Sequence, residues 1–133
     1  AIDGRHQIDE IVKHVTTHHP QVHVIARAKD RDHVYDLWSF GCRDIIRETY
    51  DSTLRMARSA FEALGHDRGT SSEMVELFNA SDREAMIEIA SVHEVGVPPH
   101  LNEAYVAKVH EVLQPRQKAL SAEMAKTAGK KKD

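Results

Sequence analysis

Ten histidines and one cysteine are the side chains that could bind a metal ion or act as a nucleophile. His14 and His18 have the i, i+4 spacing of zinc ligands on a helix, but Val15 stands where the catalytic zinc motif has glutamate. No clustered carboxylate or second thiol completes a site, so solvated histidines are the favoured interpretation. Cys42 with His33 could suggest a thiol nucleophile, yet nothing places an oxyanion hole or a third group. We therefore predict no metal centre and no catalytic residue.

Charged residues at predicted strand ends are better candidates for ligand binding. Arg47 ends one predicted strand and directly precedes a helix, and its planar guanidinium can bind a carboxylate through two hydrogen bonds. A salt bridge from Arg47 to Glu48 or another nearby acid is the alternative. Asp3 lies at the carboxyl end of a strand, where nucleotide pockets open, and Arg27 on the next strand could balance a phosphate. An ion pair at the sheet edge is the equally favoured alternative for Asp3 and Arg27.

The first half of the chain supplies the elements that would position these residues. Apolar residues at i, i+3, i+4 and i+7 predict a helix over about residues 5–18, namely Ile8, Ile11, Val12 and Val15. Residues 22–26 and 44–48 are predicted strands, joined by a helix that Asp30 caps and Gly41 ends. The buried face of that helix is predicted to hold Val34, Leu37 and Trp38. These elements form a βαβ unit with parallel strands and a right-handed crossover.

The second half is predicted to be helical. One helix runs from about Thr49 to Leu64, with Gly65 as its stop, and a capping box at residues 70–73 opens the next, which runs to about Val92. The inward residues of that second helix are Val75, Phe78, Met86, Ile89 and Val92. Residues 96–99 form a hinge-like break. A last helix holds Leu101, Tyr105, Val109, Val112 and Leu113, and residues beyond 115 are at best weakly amphipathic.

Composition excludes several classes of function. The chain has 133 residues, 41% hydrophobic and 29% charged, without an apolar stretch long enough to span a bilayer or a signal peptide. Net charge is −3, and residues 115–133 carry six Lys or Arg against two acids, which leaves −7 on residues 1–114. An acidic body repels phosphates, so we predict no nucleic-acid partner. A single cysteine favours a reducing compartment.

Two parallel strands do not make a complete sheet, because parallel sheets are covered on both faces and usually have more strands. The opening Ala-Ile-Asp suggests a third strand whose beginning lies upstream, so the chain is predicted to be a fragment. The glycine-rich fingerprint G-x-G-x-x-G is absent from the sequence. The phosphate cradle of a nucleotide site is therefore not in this chain, which contributes at most the rim of such a pocket.

Three segments resemble one family at matching order and spacing. They are Ala1-Ile2-Asp3, the stretch IARAKDRDH at residues 25–33, and Arg47-Glu48-Thr49 opening a long helix. Together they are similar to the second half of the RCK (also called KTN) domain of the Kef glutathione-gated potassium efflux systems. The resemblance covers about residues 1–95, and residues 96–133 match only as a helical extension.

The resemblance implies an α/β fold, a partial Rossmann-like parallel sheet (the C-terminal half) followed by a helical dimerisation arm. In that family the arginine of the matching RET segment and the asparagine of a matching Phe-Asn pair contact glutathione at the dimer interface, which implies glutathione-binding roles for Arg47 and Asn79. Asp3 and Arg27 would form the rim of a pocket for AMP or NAD(H) in the complete domain. A homodimer through residues 49–95 is implied.

The resemblance also implies that this chain is not an enzyme but a ligand-sensing domain, gating a bacterial potassium/proton antiporter in response to glutathione and its adducts. Its parts would be residues 1–48, the half-Rossmann unit; residues 49–114, the dimerisation helices; and residues 115–133, a basic, flexible tail. Its partners would be the transmembrane antiporter domain of the same parent chain and an accessory oxidoreductase, at the cytoplasmic face of the inner membrane. A fragment of a nucleotide-dependent oxidoreductase and a ligand-free dimerisation module are the alternatives.

Overall fold

The computed structural model describes residues 3–130 and divides the chain into two compact units. The first unit comprises the residues up to Thr49 together with His93–Pro98, and the second comprises Tyr50–Val92 and the residues from Pro99 onward. The first unit contains α1 (Arg5–His18), β1 (Ile25–Ala28), α2 (Arg31–Ser39) and β2 (Asp44–Arg47). The second contains α3 (Tyr50–Ala63), α4 (Arg68–Ala90), a 3-10 helix at Pro99–Leu101 and α5 (Glu103–Gly129). Ala1 and Ile2, where a strand end is predicted, lie outside the described residues.

Strands β1 and β2 are parallel, with Ile25 opposite Asp44 and Ala28 opposite Arg47. This confirms the predicted βαβ unit and the α/β fold class. The first strand begins later than the predicted Val22, because the Val22 N–H donates to the His19 carbonyl at 2.9 Å and closes a turn. The predicted second strand is correct to within one residue.

One face of the two-stranded sheet forms the core of the first unit. Ala26 and Ala28 point to that face and are buried with a set of residues from α1, α2 and the loop before β2, namely Ile8, Val12, Leu37 and Cys42. The small alanine side chains allow the helices to approach the strands closely. The prediction for Trp38 is wrong, since its side chain is exposed and stacks beneath the Arg43 guanidinium, 4.0 Å from the ring centroid.

The ends of α2 follow from two residues that the sequence identifies. The Asp30 carboxylate accepts a hydrogen bond of 2.8 Å from the His33 N–H and thereby caps the helix. Gly41 has a φ of 97°, a left-handed conformation that favours glycine, and the chain turns there towards β2. Both predictions are confirmed.

The second unit packs α3 and α5 against α4. Helix α4 starts earlier than predicted, because Asp67 is its N-cap and accepts from the Thr70 N–H at 2.8 Å. The predicted capping box at residues 70–73 is therefore wrong, and Thr70 and Ser71 are buried inside the first turn. The inward assignment of Phe78 is also wrong, as that side chain is exposed.

Helix α5 continues through Pro115 to Gly129, so regular helix extends into the segment predicted to be a tail. Proline in a helix interior removes one backbone hydrogen bond and crowds the preceding turn. The next residue, Arg116, forms hydrogen bonds with Glu84 and Glu88 on α4, and these bonds raise its pKa. None of the helices within residues 3–130 is long and apolar enough to cross a membrane.

Candidate functional site

Arg47 is the last residue of β2 and lies opposite Ala28, the last residue of β1. Side chains alternate between the two faces of a strand, so Arg47 shares the face of Ala28, which the helices cover. The Arg47 side chain is half-buried and is engaged in an interaction within the chain. The neighbouring acid, Glu48, lies within ion-pair distance of Lys29, at 3.7 Å. The predicted position of Arg47 at the carboxyl edge of the sheet is thus what the structure shows.

Arg27 lies on the opposite face of the same sheet. It is paired with Ile46 across the strands, and both side chains are exposed. Arg27 forms an ion pair and hydrogen bond with Asp3, the residue that precedes α1 by two positions. The two residues predicted to border a nucleotide pocket are therefore brought together, and they form the ion pair that was the alternative interpretation.

Asn79 belongs to the second unit, near the middle of α4. Its side-chain oxygen accepts a hydrogen bond of 3.0 Å from the Tyr50 hydroxyl at the start of α3. The Asn79 amide nitrogen donates to none of the residues within 3–130. The Asn79 side chain thus joins α4 to the first turn of α3.

A buried polar cluster in the first unit is the feature that the sequence does not predict. The His33 ring is fully buried; its Nδ1 accepts from the Lys29 N–H at 2.9 Å, and its Nε2 lies 2.8 Å from Asp9. Because Nδ1 is an acceptor, Nε2 carries the proton and donates to the Asp9 carboxylate. The interpretation of the histidines as solvated is therefore wrong for His33. In the sequence, the one sign of an ordered environment at His33 is Asp30, the predicted cap of its helix.

Arg5 and Asp36 extend this cluster along α1 and α2. The Arg5 guanidinium donates to Asp36 at 2.7 Å and to Asp32 at 3.1 Å. Burial lowers the pKa of Arg5, but the hydrogen bonds to these two carboxylates raise it above its ordinary value. The pair of helices is thus held together by charge-assisted hydrogen bonds beside the apolar core.

The remaining candidates for chemistry lack partners of the right kind. His14 and His18 are exposed and stack at 4.4 Å between ring centroids. No group of three potential metal ligands exists among residues 3–130. Cys42 is buried, and burial raises the pKa of its thiol, which disfavours the reactive thiolate.

The second half of the sequence matches a family model described as "Potassium efflux system KefB C-terminal domain" over residues 52–133. The chain belongs to this family, as the resemblance implied. The match includes residues 96–133, so the prediction that these residues match only as a helical extension is too narrow. Two KefC proteins and one solved Kef structure are also similar to this chain.

Two curated relatives are named "Glutathione-regulated potassium-efflux system protein KefC". The protein of Cronobacter sakazakii is 37% identical over 90 residues, which are 68% of this chain and 14% of that protein. The protein of Salmonella arizonae is 39% identical over 84 residues, which are 63% of this chain and 13% of that protein. The chain therefore spans about one-seventh of the length of these relatives.

A solved structure, "Shewanella denitrificans Kef CTD in AMP bound form", has a similar fold. It matches with a TM-score of 0.67 and 32% sequence identity, over 71% of this chain and 60% of that chain. The likeness agrees with the α/β fold and with the partial, Rossmann-like character of the sheet.

Proposed function

We propose that this chain is part of a ligand-sensing regulatory domain, which gates a bacterial potassium/proton antiporter in response to glutathione and its adducts. Family membership over residues 52–133 is the observation that carries the proposal, and the names of the KefC relatives supply the ion and the regulator. These relatives are named as potassium-efflux system proteins, which supports a regulatory rather than a catalytic role.

The partner that this function requires is the transmembrane part of the parent protein. The relatives are about seven times longer than the matched segment, which leaves ample length for a membrane domain in the same chain. The domain would then work at the cytoplasmic face of the inner membrane. An accessory oxidoreductase stays a prediction that rests on the family resemblance.

An adenine nucleotide is the proposed second ligand of the complete domain. Support comes from the AMP-bound state of the Shewanella relative, and NAD(H) stays a prediction. The residues present here fit a nucleotide only in part, because the chain has no glycine-rich cradle and Asp3 already neutralises Arg27. We assign these two residues to the rim of the pocket.

Arg47 and Asn79 are the proposed glutathione-binding residues. The guanidinium at the end of β2 would bind a ligand carboxylate, and the Asn79 amide nitrogen would donate to a second acceptor. Free glutathione and a bulkier S-conjugate share the carboxylates but differ at sulfur. A ligand gates the antiporter only if it binds one arrangement of the domain more tightly than the other, and the sulfur substituent supplies that difference.

Calorimetric titration of glutathione and of a glutathione S-conjugate tests this proposal. Arg47→Ala is expected to raise the Kd of both ligands by about 10- to 100-fold, because a hydrogen bond to a charged group contributes about 1.5–3 kcal/mol. Arg43→Ala is the matched control, since Arg43 directly precedes the same strand, stacks on the Trp38 ring and donates to the Trp38 and Cys42 carbonyl groups.

Equal affinities in Arg47→Ala and Arg43→Ala would contradict the assignment of Arg47. A wild-type chain that is folded and dimeric but binds neither ligand would contradict the ligand-sensing proposal. The dimerisation module would then be the better interpretation.

Dimerisation through residues 49–95 is supported by the surface of α3. The helix is amphipathic, yet none of its residues is buried, and Met56 and Leu64 are 70% and 77% exposed. Apolar area of this kind is commonly covered by a second subunit. Met56→Glu is therefore expected to convert a dimer into a monomer in sedimentation experiments.

Leu101→Glu is the control for that experiment. Leu101 is comparably exposed, but it lies on the 3-10 helix outside residues 49–95. A dimer that survives Met56→Glu and dissociates with Leu101→Glu would place the interface elsewhere.

A further inference from the structure

The connection between α4 and α5 is closed at its base by one buried side chain. Asn102 is the N-cap of α5, and its side-chain oxygen accepts from the Tyr105 N–H at 3.0 Å. Its amide nitrogen donates to the Val92 carbonyl, ten residues earlier, at 2.8 Å. Residues 92–102 thus form a loop with joined ends, which we call the strap.

The exposed part of the strap is a tight turn. The Val97 N–H donates to the Glu94 carbonyl at 3.3 Å, and Gly96 has a φ of 80°. A positive φ at the third position is characteristic of a type II turn, which favours glycine there. Glu94, Val95 and Gly96 are exposed, so burial contributes little to the stability of the turn.

His93, at the start of the strap, is buried in the first unit. Its side chain is 3% exposed, and its Nε2 lies 2.6 Å from an oxygen of Asp36 on α2. The ring also packs beside Tyr35, with 5.4 Å between centroids. The other Asp36 oxygen accepts from Arg5, so Arg5 helps to hold this carboxylate in the orientation that faces His93.

We propose that His93 is a latch, which holds the strap on α2 through its hydrogen bond to Asp36. The buried bond joins residues 57 apart, in a segment whose other residues are mostly exposed. While the latch is closed, residues 93–98 belong to the first unit, although Val92 before them and Pro99 after them belong to the second. Release of this bond would free residues 93–98 from α2. Because Arg5 also binds Asp36, a change at α1 or α2 can control the release.

Hydrogen exchange measured by mass spectrometry tests the latch without any ligand. His93→Leu removes the donor and keeps most of the side-chain volume. It is expected to speed amide exchange in residues 93–98 by about tenfold or more, since a hydrogen bond to a charged group contributes a factor of that size. His93→Gln retains a donor and is expected to stay close to wild type.

Asp32→Asn is the matched control, because Asp32 also accepts from Arg5 but its side chain makes no hydrogen bond or ion pair with His93. Strap exchange at the wild-type rate in Asp32→Asn and accelerated exchange in His93→Leu, with α1 still protected, would support the latch. Unchanged strap exchange in His93→Leu would overturn it. Equal acceleration in both variants would also overturn it, since the strap would then depend on the α1–α2 contact as a whole.

Discussion

Replacement of His33 by alanine is expected to lower the free energy of unfolding by about 3–5 kcal/mol, measured by urea denaturation. The substitution leaves a cavity where the ring is fully buried. It also removes the acceptor for the Lys29 N–H and the donor to the Asp9 carboxylate, and both partners are then left without that bond in a partly buried site. A loss of this size approaches the whole stability of a small domain.

Two further variants separate the contributions of His33. His14→Ala removes an exposed ring on the same helical pair and is expected to change the unfolding free energy by less than about 0.5 kcal/mol. Asp9→Asn keeps an oxygen that can accept from His33 and is expected to cost less than His33→Ala. Equal losses of unfolding free energy in His33→Ala and His14→Ala would show that the buried cluster around His33 does not stabilise the fold.

The sequence predicts well those parts of the fold that local signals determine. The periodicity of Ile8 and Val12 gives α1 its correct bounds, and Asp30 and Gly41 mark the two ends of α2. Each of these signals acts within a few residues of the chain, where propensity, capping and a positive φ decide the outcome. The position of Arg47 at a strand end follows from the same local reasoning.

Features that depend on distant partners could not be predicted in this way. The carboxylate partners of His33 and His93 are 24 and 57 residues away, so the sequence around either histidine does not identify them. The partners of Arg116, next to Pro115 in α5, are similarly distant, since Glu84 and Glu88 lie on another helix. Trp38 shows the opposite error, because an aromatic residue on an apolar stripe is stabilised at the surface by Arg43.

The candidate site shows why strand bounds matter for predictions of function. The bounds predicted for the first strand, residues 22–26, stop before Ala28, whereas β1 contains Ala28 as well as Arg27, which was already assigned to this strand. Only the observed register with β2 shows that Arg27 and Arg47 lie on opposite sheet faces. The two arginines therefore contribute to different surfaces of the sheet.

Leu37→Ala is expected to lower the free energy of unfolding of the first unit by about 3–5 kcal/mol. Leu37 is 0% exposed, and it packs with Ile8, Val12 and the two alanines of the sheet in a single core. The truncation removes apolar contacts from both helices and both strands of the first unit, and this small core has few other large side chains that could fill the space.

Leu101→Ala is the control for Leu37→Ala, because Leu101 is 65% exposed and lies outside residues 49–95. It is expected to change stability by less than about 0.5 kcal/mol. Hydrogen exchange adds the location of the effect: amides of α1 and α2 should lose protection in Leu37→Ala, while those of α4 and α5, which pack on each other, keep it. Loss of protection in all four helices together would contradict this expectation. It would show that the core around Leu37 also stabilises α4, the helix that carries Asn79.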